Sequence, residues 1–278
     1  MQNQSQNCQC PRKECKNHGD CNICNAKHKA AGNLPFCLRQ KSLNFDSNGT
    51  NIFYTKSGQG QPLIFVHGNM ASGQFFKDCP KLFKDFTVFL PDSRSHGKSD
   101  SVKRLNYDDM ADDIVRLIDH EKMVKPILFG FSDGAIVGTL IAIKHPDLLG
   151  KLFAAGINLT PKGINGFWRF VARAVFCLAF PFKFGDKMRL MLTQPNILAK
   201  DIKTIKTPTI ALFAQNDIVK KADSQTLADN AADGKLIIIE GENHGSYIAD
   251  NQKLYNILKE HLIEYMTKEK AQDKANEK

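Results

Sequence analysis

The stretch Pro126-Ile-Leu-Phe-Gly-Phe-Ser132-Asp-Gly-Ala135 decides the fold of this 278-residue chain. In it a serine stands between two glycines, Gly130 and Gly134, after an apolar run typical of a buried strand and before a helical pattern. A serine on such a sharp turn takes a strained backbone conformation, so the residues two positions away must be small. The turn points the Ser132 hydroxyl out of the sheet, and the sequence therefore predicts a serine nucleophile.

Two backbone N–H groups are predicted to stabilise an oxyanion beside this serine. One belongs to Asp133, at the positive end of the helix that follows. The other belongs to Asn69, in the loop His67-Gly-Asn69-Met70 after the apolar run 63–66, with Met70 as the alternative donor. His67 has two interpretations, a catalytic base or a side chain that braces the loop by hydrogen bonds, and the second is favoured.

A serine hydroxyl needs a general base that is itself oriented by a carboxylate. One apolar run ends shortly before Asp217, and the next run is followed by His244, so both groups fall at predicted strand ends. Asp223 is the alternative acid, but it lies inside the next predicted helix. Asp92 is interpreted as a structural turn residue.

Short apolar runs alternate with helical periodicity along residues 42–267. The later runs are continuous, as expected for strands covered on both faces, and Tyr107–His120 carries its apolar residues on one helical face. Helices are also predicted over 133–143 and 246–265. The pattern predicts an α/β fold with a mostly parallel central β-sheet flanked by helices. The predicted strands are 52–55, 63–66, 87–90, 127–129, 152–155, 209–214 and 236–240.

Residues 45–265 resemble the serine esterase and lipase-like group of the α/β-hydrolase fold superfamily. The motifs described above carry this resemblance, together with a further motif at residues 91–99. The segment Pro91-Asp-Ser-Arg-Ser-His-Gly-Lys-Ser99 is similar to that family's D-x-R-G-x-G-x-S loop, with a serine at the customary first glycine. The resemblance implies that Ser132 attacks, that His244 carries the proton and that Asp217 orients the imidazole. Some members carry the acid after the sixth strand instead, where this chain has no carboxylate.

The resemblance also implies an activity. We expect a serine hydrolase that cleaves a carboxylic ester, or a related acyl bond, of a small apolar substrate through an acyl-enzyme, without a catalytic cofactor. The alternative is a non-catalytic scaffold or binding protein that keeps the fold and recruits a partner through its first residues. The complete set of serine, acid and histidine favours the enzyme, because a scaffold need not retain all three.

Residues 160–204 interrupt the alternation of strands and helices and are predicted to form a small helical lid. The segment Gly166–Phe184 contains the only tryptophan of the chain, Trp168, and a dense set of phenylalanines. These side chains either contact an apolar part of the substrate or pack the lid onto the core. The basic residues of the lid fit either an anionic lipid surface or an ordinary solvated helix face.

Residues 1–41 are rich in cysteine and resemble a small cysteine-rich domain of bacterial proteins. They are poor in large aliphatic residues, so a bound metal stabilises them more readily than packing does. Structural zinc is predicted because Cys21 and Cys24 form a normal half-site, with disulfides or redox sensing as alternatives. A protein partner would also bind here. The candidate ligands, of which a subset binds, are Cys8, Cys10, Cys15, Cys21, Cys24 and Cys37.

The formal net charge of +9 is spread along the chain without a long basic block. This distribution favours a solvated basic surface over a nucleic-acid partner. No secretory signal and no apolar run of membrane-spanning length are recognised, so we expect a cytoplasmic protein without stable membrane insertion. Residues 268–278 alternate in charge and are expected to form a frayed tail.

Overall fold

A sheet of eight strands organises the part of the chain that the structure describes. The computed structural model describes residues 10, 13–31, 35, 39–179 and 183–276. The strands within them are β1 (Lys41–Asp46), β2 (Asn51–Gly58), β3 (Gln61–Val66), β4 (Phe86–Pro91), β5 (Ile127–Phe131), β6 (Lys151–Ala155), β7 (Thr209–Asn216) and β8 (Gly234–Asn243). Their spatial order is β1-β2-β4-β3-β5-β6-β7-β8. Every neighbouring pair from β4 onward is parallel, so the predicted mostly parallel sheet is confirmed.

Helices flank this sheet, as predicted. Asn106 caps the predicted helix at Tyr107, because its side-chain oxygen accepts the N–H of Asp109 at 2.7 Å. Single turns of 3₁₀-helix lie at Gly73–Phe76 and Pro161–Gly163. The α-helices in the described residues are α1 (Cys21–Ala30), α2 (Cys79–Leu82), α3 (Tyr107–His120), α4 (Asp133–Lys144), α5 (Gly166–Ala179), α6 (Lys183–Thr193), α7 (Ala199–Ile202), α8 (Lys221–Asn230), α9 (Ser246–Ala249) and α10 (Asn251–Asn276).

The central strands are continuous apolar runs because they supply two cores. In β5, Leu128 belongs to a cluster that includes Ile114 of α3 and Ile141 of α4. Its neighbour Phe129 belongs to a second cluster that includes Leu258 of α10. Successive side chains of a strand point to opposite faces, so a strand between two helical layers needs an apolar residue at every position.

The strand order leaves a crevice where the functional residues were predicted. After β3 the chain moves to β4 on one side, and it later returns to place β5 on the other side. The segments that leave the carboxyl ends of β3 and β5 therefore diverge, which is where open α/β sheets bind ligands. Ser132 directly follows β5, and residues 67–70 follow β3.

The structure differs from the sequence expectations at both ends. Strand β1 is an edge strand that was not predicted, and it pairs only with β2. Helix α10 continues to Asn276, although a frayed tail was expected from Lys268. The ammonium of Lys268 lies 2.8 Å from the Glu264 carboxylate, one helical turn away, and such pairs stabilise an exposed helix.

Residues 160–204 contain α5, α6 and α7, with 180–182 outside the described residues. Their service as a lid over the active site stays a prediction. None of the helices that the structure describes is both long enough and apolar enough to cross a membrane.

Candidate active site

The turn that carries Ser132 is strained and admits only glycine beside it. Ser132 has φ 53° and ψ −111°, a conformation that L-residues rarely adopt. A Cβ at Gly130 would lie 2.1 Å from the carbonyl oxygen of Gly134, and one at Gly134 would lie 2.1 Å from that of Val66. The two glycines thus let β5 turn sharply into α4, as their spacing in the sequence indicated.

The structure brings Ser132, Asp217 and His244 together. The Ser132 Oγ lies 3.1 Å from His244 Nε2, and His244 Nδ1 lies 2.5 Å from Asp217 Oδ1. The Asp217 carboxylate is fully buried and also accepts the N–H of Val219 at 3.1 Å. This carboxylate therefore holds the Nδ1–H tautomer, which leaves Nε2 free to accept the serine proton.

Two neighbours of His244 were not named from the sequence. The Phe131 ring lies 4.9 Å from the imidazole, centroid to centroid. Gly156 follows β6 with φ +62°, and a Cβ there would lie 2.8 Å from His244 Cε1. A glycine at a strand end indicates that another group approaches the backbone closely. The local sequence pattern does not identify that group as His244, which lies 88 positions further along the chain.

Asp133 and Asn69, the predicted oxyanion donors, both lie beside Ser132 in the fold. Asp133 is the first residue of α4, so its N–H has no carbonyl partner within the helix. Asn69 lies in the turn after β3, and a Cβ at Gly68 in that turn would come within 3.0 Å of Ser132 Cβ. Oxyanion binding by these two N–H groups stays a prediction, with Met70 as the alternative to Asn69.

His67 braces the loop after β3. The N–H of Ser93 donates to His67 Nε2 at 3.0 Å, so this nitrogen is unprotonated and Nδ1 donates to the Gly68 carbonyl at 2.7 Å. Burial lowers the pKa of His67 to about 4, so its imidazole is neutral at pH 7. Both ring nitrogens are thus occupied by backbone groups, and His67 is not positioned as a base.

The Asp133 side chain lies buried behind the turn that carries Ser132. Its carboxylate accepts the Tyr107 hydroxyl at 2.8 Å. Burial raises the pKa of Asp133 to about 6, although that hydrogen bond and the charges of His244 and Lys187 oppose the rise. A titratable group therefore adjoins Ser132, in addition to the three residues predicted from the sequence.

Lys187 of α6 is a further group near the site that sequence reasoning missed. Its backbone carbonyl accepts the Asn69 side-chain N–H at 3.1 Å, which joins α6 to the loop after β3. Burial lowers the pKa of the Lys187 ammonium. No local pattern relates α6 to that loop, because the two lie 118 positions apart in the chain.

The competing carboxylates are engaged elsewhere. Asp92 accepts the N–H groups of Gly73 and Lys98, at 2.7 and 2.8 Å, and so ties two loops together. Asp223 accepts the N–H of Leu159 at 2.7 Å. Neither carboxylate contacts His244 in the structure, whereas Asp217 does.

The loop 91–99 accommodates a serine, Ser95, where the pattern D-x-R-G-x-G-x-S has its first glycine. Ser95 has φ 61°, the left-handed region that favours glycine. Its hydroxyl accepts the N–H of Val102 at 3.0 Å, which stabilises this conformation. Next to it, Arg94 donates two hydrogen bonds of 2.7 Å to Asp113 on α3. The substitution therefore leaves the loop anchored.

The cysteine-rich segment is described only in part. Among the residues that the structure describes, no group of three or more His, Cys, Asp or Glu could hold a metal ion. Structural zinc stays a prediction, because half of the predicted ligands are not covered. Cys10, Cys15 and Cys24 are described, whereas Cys8 and Cys37 lie outside the described residues and the Cys21 side chain is not described.

Solved structures identify the fold. An esterase from Exiguobacterium antarcticum superposes with a TM-score of 0.67 at 19% identity, covering 77% of this chain and 96% of that one. A hydrolase from Pseudomonas aeruginosa superposes with a TM-score of 0.66 at 16% identity, covering 79% and 97%. The sequence model of the α/β hydrolase fold family matches residues 61–179. The chain therefore has the α/β-hydrolase fold.

Curated relatives match over shorter segments. Ethanol acetyltransferase 1 of Kluyveromyces lactis is 38% identical over 91 residues, which cover 32% of this chain and 25% of that protein. The sn-1-specific diacylglycerol lipase ABHD11 of Danio rerio is 32% identical over 114 residues, which cover 40% and 36%. The matched segments thus span between a quarter and about a third of these relatives' lengths.

Proposed function

We propose that this protein is a serine hydrolase that cleaves a carboxylic ester, or a related acyl bond, through an acyl-enzyme at Ser132. The observation that carries the proposal is the unbroken chain of contacts from the buried Asp217 carboxylate through His244 to the Ser132 hydroxyl, at 2.5 and 3.1 Å. Positioned serine, imidazole and carboxylate groups at these distances make a serine nucleophilic on many unrelated folds.

In the first half of the reaction, Ser132 Oγ attacks the carbonyl carbon and His244 Nε2 takes the hydroxyl proton. The N–H groups of Asp133 and Asn69 stabilise the negative oxygen of the tetrahedral intermediate. That intermediate collapses, His244 returns the proton to the departing alcohol, and the acyl group stays on Ser132.

Water completes the reaction. His244 removes a proton from a water molecule, whose oxygen attacks the acyl carbon, and the proton then passes to Ser132 as the carboxylic acid leaves. Neither half of this proposed reaction uses a cofactor. The names of the two curated relatives support acyl chemistry, since one is a lipase and the other an acetyltransferase.

Replacing the nucleophile tests the proposal. The native protein is expected to react with a fluorophosphonate probe and to hydrolyse p-nitrophenyl esters of short and medium acyl chains. Ser132→Ala should abolish labelling and lower kcat by at least about 10³-fold. Ser93→Ala, in a buried loop nearby, is the control and should keep both activities. Undiminished turnover by Ser132→Ala, or failure of the folded native protein to label, would favour the non-catalytic scaffold.

A further inference from the structure

Helix α5 (Gly166–Ala179) turns several of its apolar side chains toward solvent. Phe167, Phe170 and Leu178 are 66%, 70% and 84% exposed. Together with Ala174 they recur at helical spacing and form one stripe, here called the α5 apolar face. Ala172 lies on the opposite side of the helix and is buried. A surface helix ordinarily has the reverse arrangement, so this face needs an apolar partner.

Trp168 extends the α5 apolar face at one edge. It is 46% exposed and packs edge-on against Phe167, with ring centroids 5.5 Å apart. An exposed tryptophan has an apolar ring and a polar N–H, and such rings are enriched where membranes meet water.

The charged residues of α5 and of the cavity beside it are all positive. The 38 residues between Asp147 and Asp186 contain no Asp or Glu. Arg169 and Arg173 have no carboxylate partner within ion-pair distance in the part of the chain that the structure describes. With Lys162 they line a cavity of about 920 Å³ beside α6, and none of its described lining residues is acidic. This surface therefore complements an anionic, partly apolar partner.

We propose that α5 binds the surface of an anionic lipid bilayer. In this arrangement the α5 apolar face enters the region between headgroups and acyl chains, and Arg169 and Arg173 contact the anionic headgroups. The formal net charge of +9 adds long-range attraction. A second copy of the chain fits less well, because a two-fold contact through α5 would bring identical cations together.

Trp168 is the only tryptophan, so its fluorescence reports on α5 directly. The full-length protein would be titrated with vesicles of diether phosphatidylcholine, with and without diether phosphatidylserine. Ether lipids have no carboxylic ester, so the proposed hydrolase activity does not affect the result. We expect a blue shift of Trp168 emission and co-sedimentation with the anionic vesicles, and at least about tenfold weaker binding to the neutral ones.

Two double variants test which side chains contact the lipid. Phe167→Ser/Phe170→Ser should weaken binding at least about tenfold, because two apolar rings stay in water. Arg169→Gln/Arg173→Gln should weaken binding to anionic vesicles about tenfold or more. The matched control is Val124→Ser/Ile263→Ser, which removes two apolar side chains that are 76% and 65% exposed elsewhere. The control should bind like the native protein, and circular dichroism verifies that every variant is folded.

Several results would overturn the proposal. One is the absence of binding to anionic vesicles. Another is binding to anionic vesicles that leaves Trp168 emission unchanged. Undiminished binding by both the phenylalanine and the arginine double variants would also overturn it. A fourth is a blue shift that rises with protein concentration in the absence of lipid, which would assign the α5 apolar face to self-association. Ester hydrolysis enters none of these readouts, so the proposed function can fail without affecting them.

Discussion

At the scale of single residues, the site combines one strained residue, Ser132, with one tightly held imidazole, that of His244. Ser132 keeps φ 53° because β5 and α4 fix the chain on either side, and such outliers cost about 1–3 kcal/mol each. His244 is held by Asp217 at one ring nitrogen and by the packing of Phe131 and Gly156 around the ring. Small changes at either place should therefore affect turnover more than folding.

Replacing the Asp217 carboxylate should impair the orientation of His244 without impairing folding. Asp217→Asn keeps the shape of the side chain but favours the wrong imidazole tautomer, so Nε2 can no longer accept the serine proton. We expect kcat for p-nitrophenyl esters to fall by about 10³- to 10⁴-fold with little change in Tm. Asp223→Asn, at the competing acid, is the comparison and should keep kcat within about tenfold. A larger loss of kcat in Asp223→Asn than in Asp217→Asn would identify Asp223 as the acid.

Gly156 should control the position of the imidazole. A Cβ there would lie 2.8 Å from His244 Cε1 and 3.0 Å from Nδ1, so Gly156→Ala should displace the ring. Because a displacement of about 1 Å costs about 10²-fold, we expect kcat to fall by that order. Gly245→Ala is the control, since a Cβ at Gly245 has no atom within 4 Å. Equal activity of the two variants would show that Gly156 does not position His244.

At the scale of elements, α3 and α4 meet at a buried carboxylate. The Tyr107 hydroxyl, at the start of α3, donates to Asp133, at the start of α4. Burial raises the pKa of Asp133 from 3.8 to about 6, with Tyr107 among the groups that oppose the rise. Between these pH values the folded protein binds a proton that the unfolded chain does not. The free energy of unfolding therefore decreases as the pH rises through this window.

Asp133→Asn should remove that pH dependence. At pH 8 the wild-type protein carries a buried charge that the neutral amide lacks. A pKa difference of about two units corresponds to about 3 kcal/mol, so the variant should be more stable by up to that amount. The difference should shrink as the pH falls toward 4, where both side chains are neutral. Urea unfolding across this range measures it, and a difference that stays constant with pH would contradict the assignment.

The elements that sequence reasoning identified are those with strong local signals. Strands β2 to β8 are apolar runs between turn residues, and they were found. The edge strand β1 has a single buried residue, Phe45, among polar and partly exposed ones, so it gave no comparable pattern. The same distinction applies to the site. Ser132, Asp217 and His244 follow strands and were named, whereas the contacts of Gly156 and Lys187 depend on tertiary packing between distant segments.

At the scale of the whole molecule, one sheet assembles both the site and the apolar core. Both apolar clusters that the structure describes draw their buried residues from Phe45 onward. Ser132, Asp217 and His244 directly follow strands β5, β7 and β8, respectively. None of the described residues of the segment predicted to bind zinc is a buried member of either cluster.

Removing residues 1–39 should therefore leave the hydrolase domain folded and able to react with a fluorophosphonate probe. We expect Tm to change by less than about 3 °C, because no residue of either described cluster is lost. Removing residues 1–46 is the matched comparison, since seven further residues take away β1 and the buried Phe45. Losing that ring alone should cost about 3 kcal/mol and lower Tm by about 10 °C. Equal melting temperatures would show that β1 does not stabilise the sheet, and unfolding of both would show that the cysteine-rich segment does.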